Sequence, residues 1–195
     1  MQLETYDDMD GRRVRLTADE RDRLLGEYDN DTRRQIGLAL MARCGARCQE
    51  AVDVRKRDIR RGDSTNMEFL RIEEGKGGKE RTTPLPGDLA GMIRAHTNDH
   101  APDDFVLDIG TRTLRRWVVR AAEQRAAKEN DQRWQYVRPH DLRRTWGHLM
   151  LEEEVLPSVL MQWGGWEDYD TFKKHYLGKH SEKVMAEQAA KVGWI

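Results

Sequence analysis

Strand-like alternation of apolar and polar residues is confined to one short region of this chain, and that restriction governs what it can fold into. Met67-Glu68-Phe69-Leu70-Arg71-Ile72 alternates as a strand, broken only by the adjacent Phe69 and Leu70, Gly75-Lys76-Gly77-Gly78 follows as a turn, and Glu80 to Leu85 returns as a second strand closed by Pro84 and Pro86. Elsewhere the apolar residues recur at helical spacing. The expected fold class is therefore mainly α with one small antiparallel β-hairpin.

The helices announce themselves through their ends. Thr17 with Glu20 three residues on has capping-box spacing and opens a helix over Leu16 to Tyr28. Asp31 to Cys44 carries Ile36, Leu38, Leu40 and Met41 and stops at Gly45; Cys48 to Val54 forms a short third helix. Arg55 to Asp63 reads as a charged, turn-forming connection. After the hairpin come Leu89 to Thr97 and then Thr111 to Glu129, where Leu114, Trp117, Val118, Ala121 and Ala122 share one face while Arg112, Arg115, Arg116 and Arg120 decorate the other. Helices over Asp141 to Glu152 after Pro139, from Pro157 into Gly164-Gly165, over Tyr169 to Leu177 and over Ser181 to Val192 complete the chain. Trp117, Trp134 and Trp146 are expected in the core.

Charge and cysteine content exclude more than they assign. Lys plus Arg number 34 and Asp plus Glu 35, a net charge of −1, so any affinity for nucleic acid must come from local clustering. Arginine predominates among the cations, which favours forked recognition of phosphate or carboxylate over point-charge attraction. Cys44 and Cys48 have no second Cys or His pair nearby to complete a zinc site and read as ordinary thiols. No apolar run approaches the ~20 residues of a membrane span, and Met1 to Asp10 lacks a signal pattern, so the expectation is a cytoplasmic protein. There is no GxxxxGK[ST] loop and no carboxylate cluster suited to two-metal phosphoryl transfer; neither a cofactor nor a metal is expected.

Four separated elements each offer a group suited to phosphate: Arg47 after the Gly45 break, Lys76 at the hairpin tip, His140 with Arg143, and Tyr176 beside His175. His140 and Arg143 stand three apart in the first turn of a helix, so they share a face while the positive helix end points the same way. Taken singly, each has an ordinary reading: Lys76 as a polar hairpin tip, the histidine and arginine as a helix start.

Taken in order, Arg43-Cys44-Gly45-Ala46-Arg47-Cys48-Gln49-Glu50, Gly75-Lys76-Gly77-Gly78-Lys79-Glu80-Arg81 and His140-Asp141-Leu142-Arg143-Arg144-Thr145 resemble the "TGLRxxEL", "GKGxKxR" and "HxLRH" boxes of the tyrosine recombinase (phage integrase) family. Gln162-Trp163-Gly164-Gly165-Trp166 followed by His175-Tyr176 is similar to that family's "LGH" segment and downstream nucleophile, and the overall likeness is to the short integrase-like proteins of haloarchaea. The resemblance implies the DNA breaking-rejoining fold. It divides the chain into an N-terminal extension (1–15), a catalytic domain (16–180) and a C-terminal helix (181–195) suited to packing on a neighbouring subunit, with no room before Leu16 for the family's N-terminal clamp domain.

It also implies roles. Tyr176 would attack a scissile DNA phosphate to give a 3′-phosphotyrosyl bond and a 5′-hydroxyl; Arg47 and Arg143 would hold the non-bridging oxygens, Lys76 would protonate the leaving oxygen, and His140 would orient the phosphate and assist proton transfer. A free phenol has a pKa of ~10, so the attack needs surrounding cations. Trp166 stands where many relatives carry histidine; its indole N–H donates but cannot act as acid or base. Tyr176 lies one residue further from Trp166 than the family spacing, which leaves Tyr169 as a competing nucleophile. Glu50 and His175 are expected to support or orient, and Arg55, Arg57, Arg60, Arg112, Arg115, Arg116 and Arg144 to contact double-stranded DNA, on which the chain would self-associate as a dimer or tetramer. A type IB topoisomerase would share this chemistry, and a decayed recombinase acting as a DNA-binding regulator would share the motifs without it.

Overall fold

The structure is a computed structural model describing residues 1–5, 12–73, 80–173, 176, 186 and 188–194. Its residues fall into two compact units, Met1–Gly165 and Trp166–Ile195.

The first unit is built around one buried helix. Helix α1 (Ala18–Leu25) starts at the Thr17 capping box, where Glu20 N–H donates to Thr17 Oγ1 (3.2 Å) and Thr17 N–H to Glu20 Oε2 (2.9 Å). Helix α2 (Thr32–Cys44) is capped by the Asp31 carboxylate and ends at Gly45, φ 67°. Ile36 through Ala42 and Cys44 are all buried in α2, so it is covered on every side: α3 (Cys48–Asp53), α4 (Gly87–His96), α5 (Thr111–Glu129) and α6 (Pro139–Glu152) all pack against it. Trp117, Trp134 and Trp146 are buried at 7%, 0% and 2% exposure, as the sequence reading expects of core tryptophans. Helix α7 (Pro157–Gly164) closes the unit and turns at Gly165, φ 64°.

Among the described residues, two small antiparallel sheets accompany the helices. Strands β1 (Gln2–Thr5) and β2 (Arg12–Arg15) pair from Gln2↔Arg15 to Thr5↔Arg12, so the stretch expected only as an extension carries two strands. They dock on α6: Val14 N–H donates to Asp141 Oδ1 (3.1 Å), Leu16 N–H to Thr145 Oγ1 (3.0 Å), and Arg15 lies 3.4 Å from His148 Nδ1.

The second sheet has the order β3 (Ile59–Arg61), β4 (Glu68–Ile72), β5 (Arg81–Leu85). The expectation of a plain connection over Arg55 to Asp63 is thereby corrected, since β3 pairs with β4 at Ile59↔Leu70 and Arg61↔Glu68. A three-residue strand containing two arginines has too few positions to display alternation; hydrogen bonding to β4 defines it. Pro84 sits in β5 without breaking a central ladder because β5 is an edge strand. Thr83 Oγ1 donates to Cys44 O (3.1 Å), satisfying a carbonyl at the α2 end. The hairpin tip, residues 74–79, lies outside the described residues.

In the second unit, α8 (Tyr169–Phe172) is capped by Asp168, which accepts from Asp170 N–H at 3.0 Å and Thr171 N–H at 3.3 Å. Most of the expected helix over Ser181 to Val192 lies outside the described residues. Among those described, no helix is long and apolar enough to cross a membrane.

Candidate active site

Residues nearly a hundred positions apart line one cleft of about 420 Å³ in the first unit: Arg47, Cys48, Arg115, Arg138, His140 and Arg143. Local chain geometry brings each of them there. Gly45 ends α2 in the left-handed conformation and reverses the chain, so that Arg47 becomes the residue capping α3. Pro139 takes the first position of α6, where its missing N–H costs nothing. His140 and Arg143 then follow in the first turn, His140 exposed and Arg143 buried. Arg115 projects from the exposed face of α5.

Arg143 is only 1% exposed, which a guanidinium tolerates only with partners. It donates through Nη1 to Gly45 O and through Nη2 to Gly164 O. Both oxygens belong to helix C-terminal ends, of α2 and α7, where the peptide dipoles concentrate negative partial charge.

Glu50 organises Arg47. The carboxylate, with its side chain 3% exposed, accepts from Arg47 Nη1 (2.6 Å) and Arg47 N–H (2.6 Å) and from both terminal nitrogens of Arg81 (2.7 and 2.6 Å). Burial alone would push the Glu50 carboxyl up; hydrogen bonds and charge from Arg81, with the bonds from Arg47, more than offset this and hold it at about 2. Asp141, beneath the α6 start, accepts from Arg138 N–H (2.9 Å), Val14 N–H and Arg144, yet burial keeps its carboxyl above the ordinary value.

The second unit holds Trp166 and Tyr176 together, their ring centroids 4.9 Å apart in an edge arrangement, with Phe172 stacked on Tyr176 at 5.0 Å and 5.3 Å from Trp166. Tyr169 is 53% exposed at the first position of α8. Lys76 and His175 lie outside the described residues.

The remaining arginines divide into two groups. Arg60 on β3 and Arg112, Arg115 and Arg116 on α5 are exposed. Arg55 lies 4.2 Å over the Phe105 ring and bonds Asp103 O, Arg57 is ion-paired with Glu73 (3.0 Å) and Asp103, and Arg144 with Asp141. Those three are engaged with acidic, carbonyl or aromatic partners of their own chain. The residue that sequence reasoning passed over is Arg81, quoted there only as the last letter of the hairpin motif; that letter was the signal available.

The model describing the phage integrase family matches residues 14–183. A tyrosine recombinase of Thermosipho africanus is 28% identical over 178 residues, covering 88% of this chain and 59% of that protein. Tyrosine recombinase XerC of Chromobacterium violaceum is 32% identical over 149 residues, 70% of this chain and 45% of the relative. The chain thus spans about half the length of these curated relatives. Among solved structures, the XerH site-specific recombinase bound to its difH substrate before cleavage superposes with a TM-score of 0.71 at 16% identity, over 97% of this chain and 57% of that one.

Proposed function

The chain belongs to the phage integrase family, and on that premise we propose that it breaks and rejoins DNA strands as a tyrosine site-specific recombinase. In the reaction Tyr176 Oη gives up its proton, for whose transfer His140 is assigned, and attacks the scissile phosphorus; the bond to the 5′ oxygen breaks, and a 3′-phosphotyrosyl linkage replaces it. The released 5′ oxygen takes a proton, for which Lys76 is assigned as donor. Arg47 and Arg143 hydrogen-bond the non-bridging oxygens, whose charge grows in the pentacoordinate transition state, so the bonds strengthen as the barrier is climbed. His140 orients the phosphate, and Trp166 contributes an N–H. Because the tyrosyl ester conserves the energy of the phosphodiester, rejoining by the reverse attack needs no ATP, and the scheme draws on no metal or cofactor.

One observation carries the proposal: Arg47 and the His140–Arg143 pair at the start of α6, from separate parts of the sequence, line a single cleft. A second supports Tyr176 over Tyr169 as nucleophile: it packs against Trp166, itself assigned to the site, whereas Tyr169 sits exposed at a helix start. Double-stranded DNA is the assigned substrate, with Arg60, Arg112, Arg115 and Arg116 on its backbone. The segment 181–195 is assigned to self-association on DNA.

The test is to incubate the protein with a nicked duplex that traps cleavage, quench in SDS and identify the DNA-linked peptide by mass spectrometry. The expected adduct is at Tyr176, and Tyr176→Phe abolishes it while DNA binding persists. An adduct at Tyr169 overturns the nucleophile assignment; no adduct on any substrate overturns the reaction and leaves a DNA-binding module.

A further inference from the structure

Arg81 has a bonding pattern that an ordinary surface ion pair does not need. From the first position of β5 it donates Nη1 to Glu50 Oε1 (2.7 Å), Nη2 to Glu50 Oε2 (2.6 Å) and Nε to Trp163 O in the last turn of α7 (2.9 Å). Its side chain is 7% exposed and that of Glu50 3%. Each Glu50 oxygen also carries one bond from Arg47, Nη1 on Oε1 and the backbone N–H on Oε2. The carboxylate plane is therefore set from one side by Arg81 and hands its orientation to Arg47 on the other. The α7 corner is shaped around the same side chain, since a Cβ on Gly165 would come within 2.9 Å of Arg81 Cδ.

We propose that Arg81 is a positioning residue for Arg47, acting through Glu50, while it ties the α7 end, next to the Gly164 carbonyl that Arg143 engages, to the start of β5. The proposal rests on the recombinase reading for its consequence in catalysis, though not for its geometry. A lysine cannot substitute: its ammonium sits at the tip of a flexible stem and lacks the planar fork that reaches two carboxylate oxygens while a third N–H holds the carbonyl. Without the fork, Glu50 keeps Arg47 as its partner but loses the constraint on its plane. Arg47 then wanders by a fraction of an ångström at the phosphate, enough to slow chemistry while leaving backbone contacts to DNA intact.

Arg81→Lys, Arg81→Met and the neutral pair Glu50→Gln/Arg81→Gln test this. Measured for each are single-turnover cleavage of a nicked duplex, equilibrium DNA affinity, thermal unfolding, and 13C-carboxyl titration of Glu50 in DNA-free protein where Glu50 is retained. Arg81→Lys is expected to fold, to bind DNA within about threefold of wild type, and to cleave about 10- to 100-fold more slowly. The Glu50 carboxyl faces Arg47 from its own helix and Arg81 from β5, and shares a cleft with Asp53, Arg55, Asp58, Arg71 and Glu73. Removing Arg81 raises its titration and makes cleavage fall more steeply toward acid than in wild type.

Wild-type cleavage by Arg81→Lys, or a loss matched wholly by lost affinity or lost folding, overturns the proposal. Should Arg81→Met not fold, Arg81→Lys and the neutral pair decide. If the unmutated protein forms no covalent adduct, the recombinase reading fails, and the titration still judges Arg81: Glu50 titrating at the same pH with and without it overturns the assignment.

Discussion

Replacing Gly45 by alanine attacks the fold and the site through one atom. Gly45 has φ 67°, a left-handed conformation that costs an L-residue about 1–2 kcal/mol. The added Cβ would also lie 2.2, 2.4 and 2.6 Å from Cε3, Cζ3 and Cδ2 of Trp146, far inside the ordinary carbon contact of about 3.5–4.0 Å. Trp146 is 2% exposed and cannot swing into solvent, so the ring or the corner must move by more than an ångström, an overpacking cost of about 1–3 kcal/mol. The sum, about 2–5 kcal/mol, is a large fraction of the 5–15 kcal/mol by which domains are typically stable. Urea unfolding should show the midpoint falling with an unchanged slope. Gly165→Ala is the comparison: φ is 64° and its Cβ would meet Arg81 Cδ at 2.9 Å, a milder overlap than that with the Trp146 ring, so about 1–3 kcal/mol, less than for Gly45→Ala, is expected. In a Trp146→Ala background the Gly45→Ala cost should shrink to the backbone part alone. A Gly45→Ala loss below about 1 kcal/mol, or one unchanged in that background, would refute the reasoning. Because Gly45 O receives Arg143, cleavage should fall even where the variant is folded.

Acid sensitivity should come in two windows. Burial, then the charges of Arg15 and Arg144, hold folded His148 at about 4, against about 6.5 when unfolded, so the unfolded chain takes up a proton the fold refuses. Stability then falls as pH drops from about 6.5 to 4, by about 2 kcal/mol once the ~3.4 kcal/mol of full linkage is discounted for solvent screening of a half-buried ring, and His148→Gln should flatten that stretch of the pH–stability curve while leaving the lower Glu50 window, from about 4.5 down to 2. Cys48 lies on the cleft beside Arg47 with its thiol pushed up by burial; saturating DNA should block its alkylation at mildly alkaline pH, and an equal rate with and without DNA would remove the cleft from the DNA path. Arg115→Ala with Arg116→Ala should lower the log–log salt slope of DNA binding by about 1–2 at any sequence, whereas Arg57→Ala, already ion-paired, should barely change it.

What could be read without coordinates was whatever the chain decides locally. Thr17 with Glu20, Gly45 after Cys44, Pro139 before His140 and the apolar face from Leu114 to Ala122 each set a helix boundary or face within a few residues, and the structure keeps them. The ordered motifs were equally legible, because a family likeness lies in residue types and spacing. Strands β1, β2 and β3 were not, since three or four arginine-rich or polar residues become a strand only when a partner's N–H and C=O groups stand opposite.

The same reason separates the site residues. That Arg47, His140 and Arg143 suit phosphate follows from their chemistry. That Arg143 is buried between two helix ends, that Arg81 grips Glu50, that Arg115 joins the cleft and that Arg57 is engaged by Glu73 and Asp103 follow from juxtapositions across 16 to 98 residues of sequence. Local propensity sees only neighbours along the chain, and a buried charge must be matched by whatever the folded chain brings beside it. The residue types were thus determined by the sequence alone, and their partners by the tertiary structure.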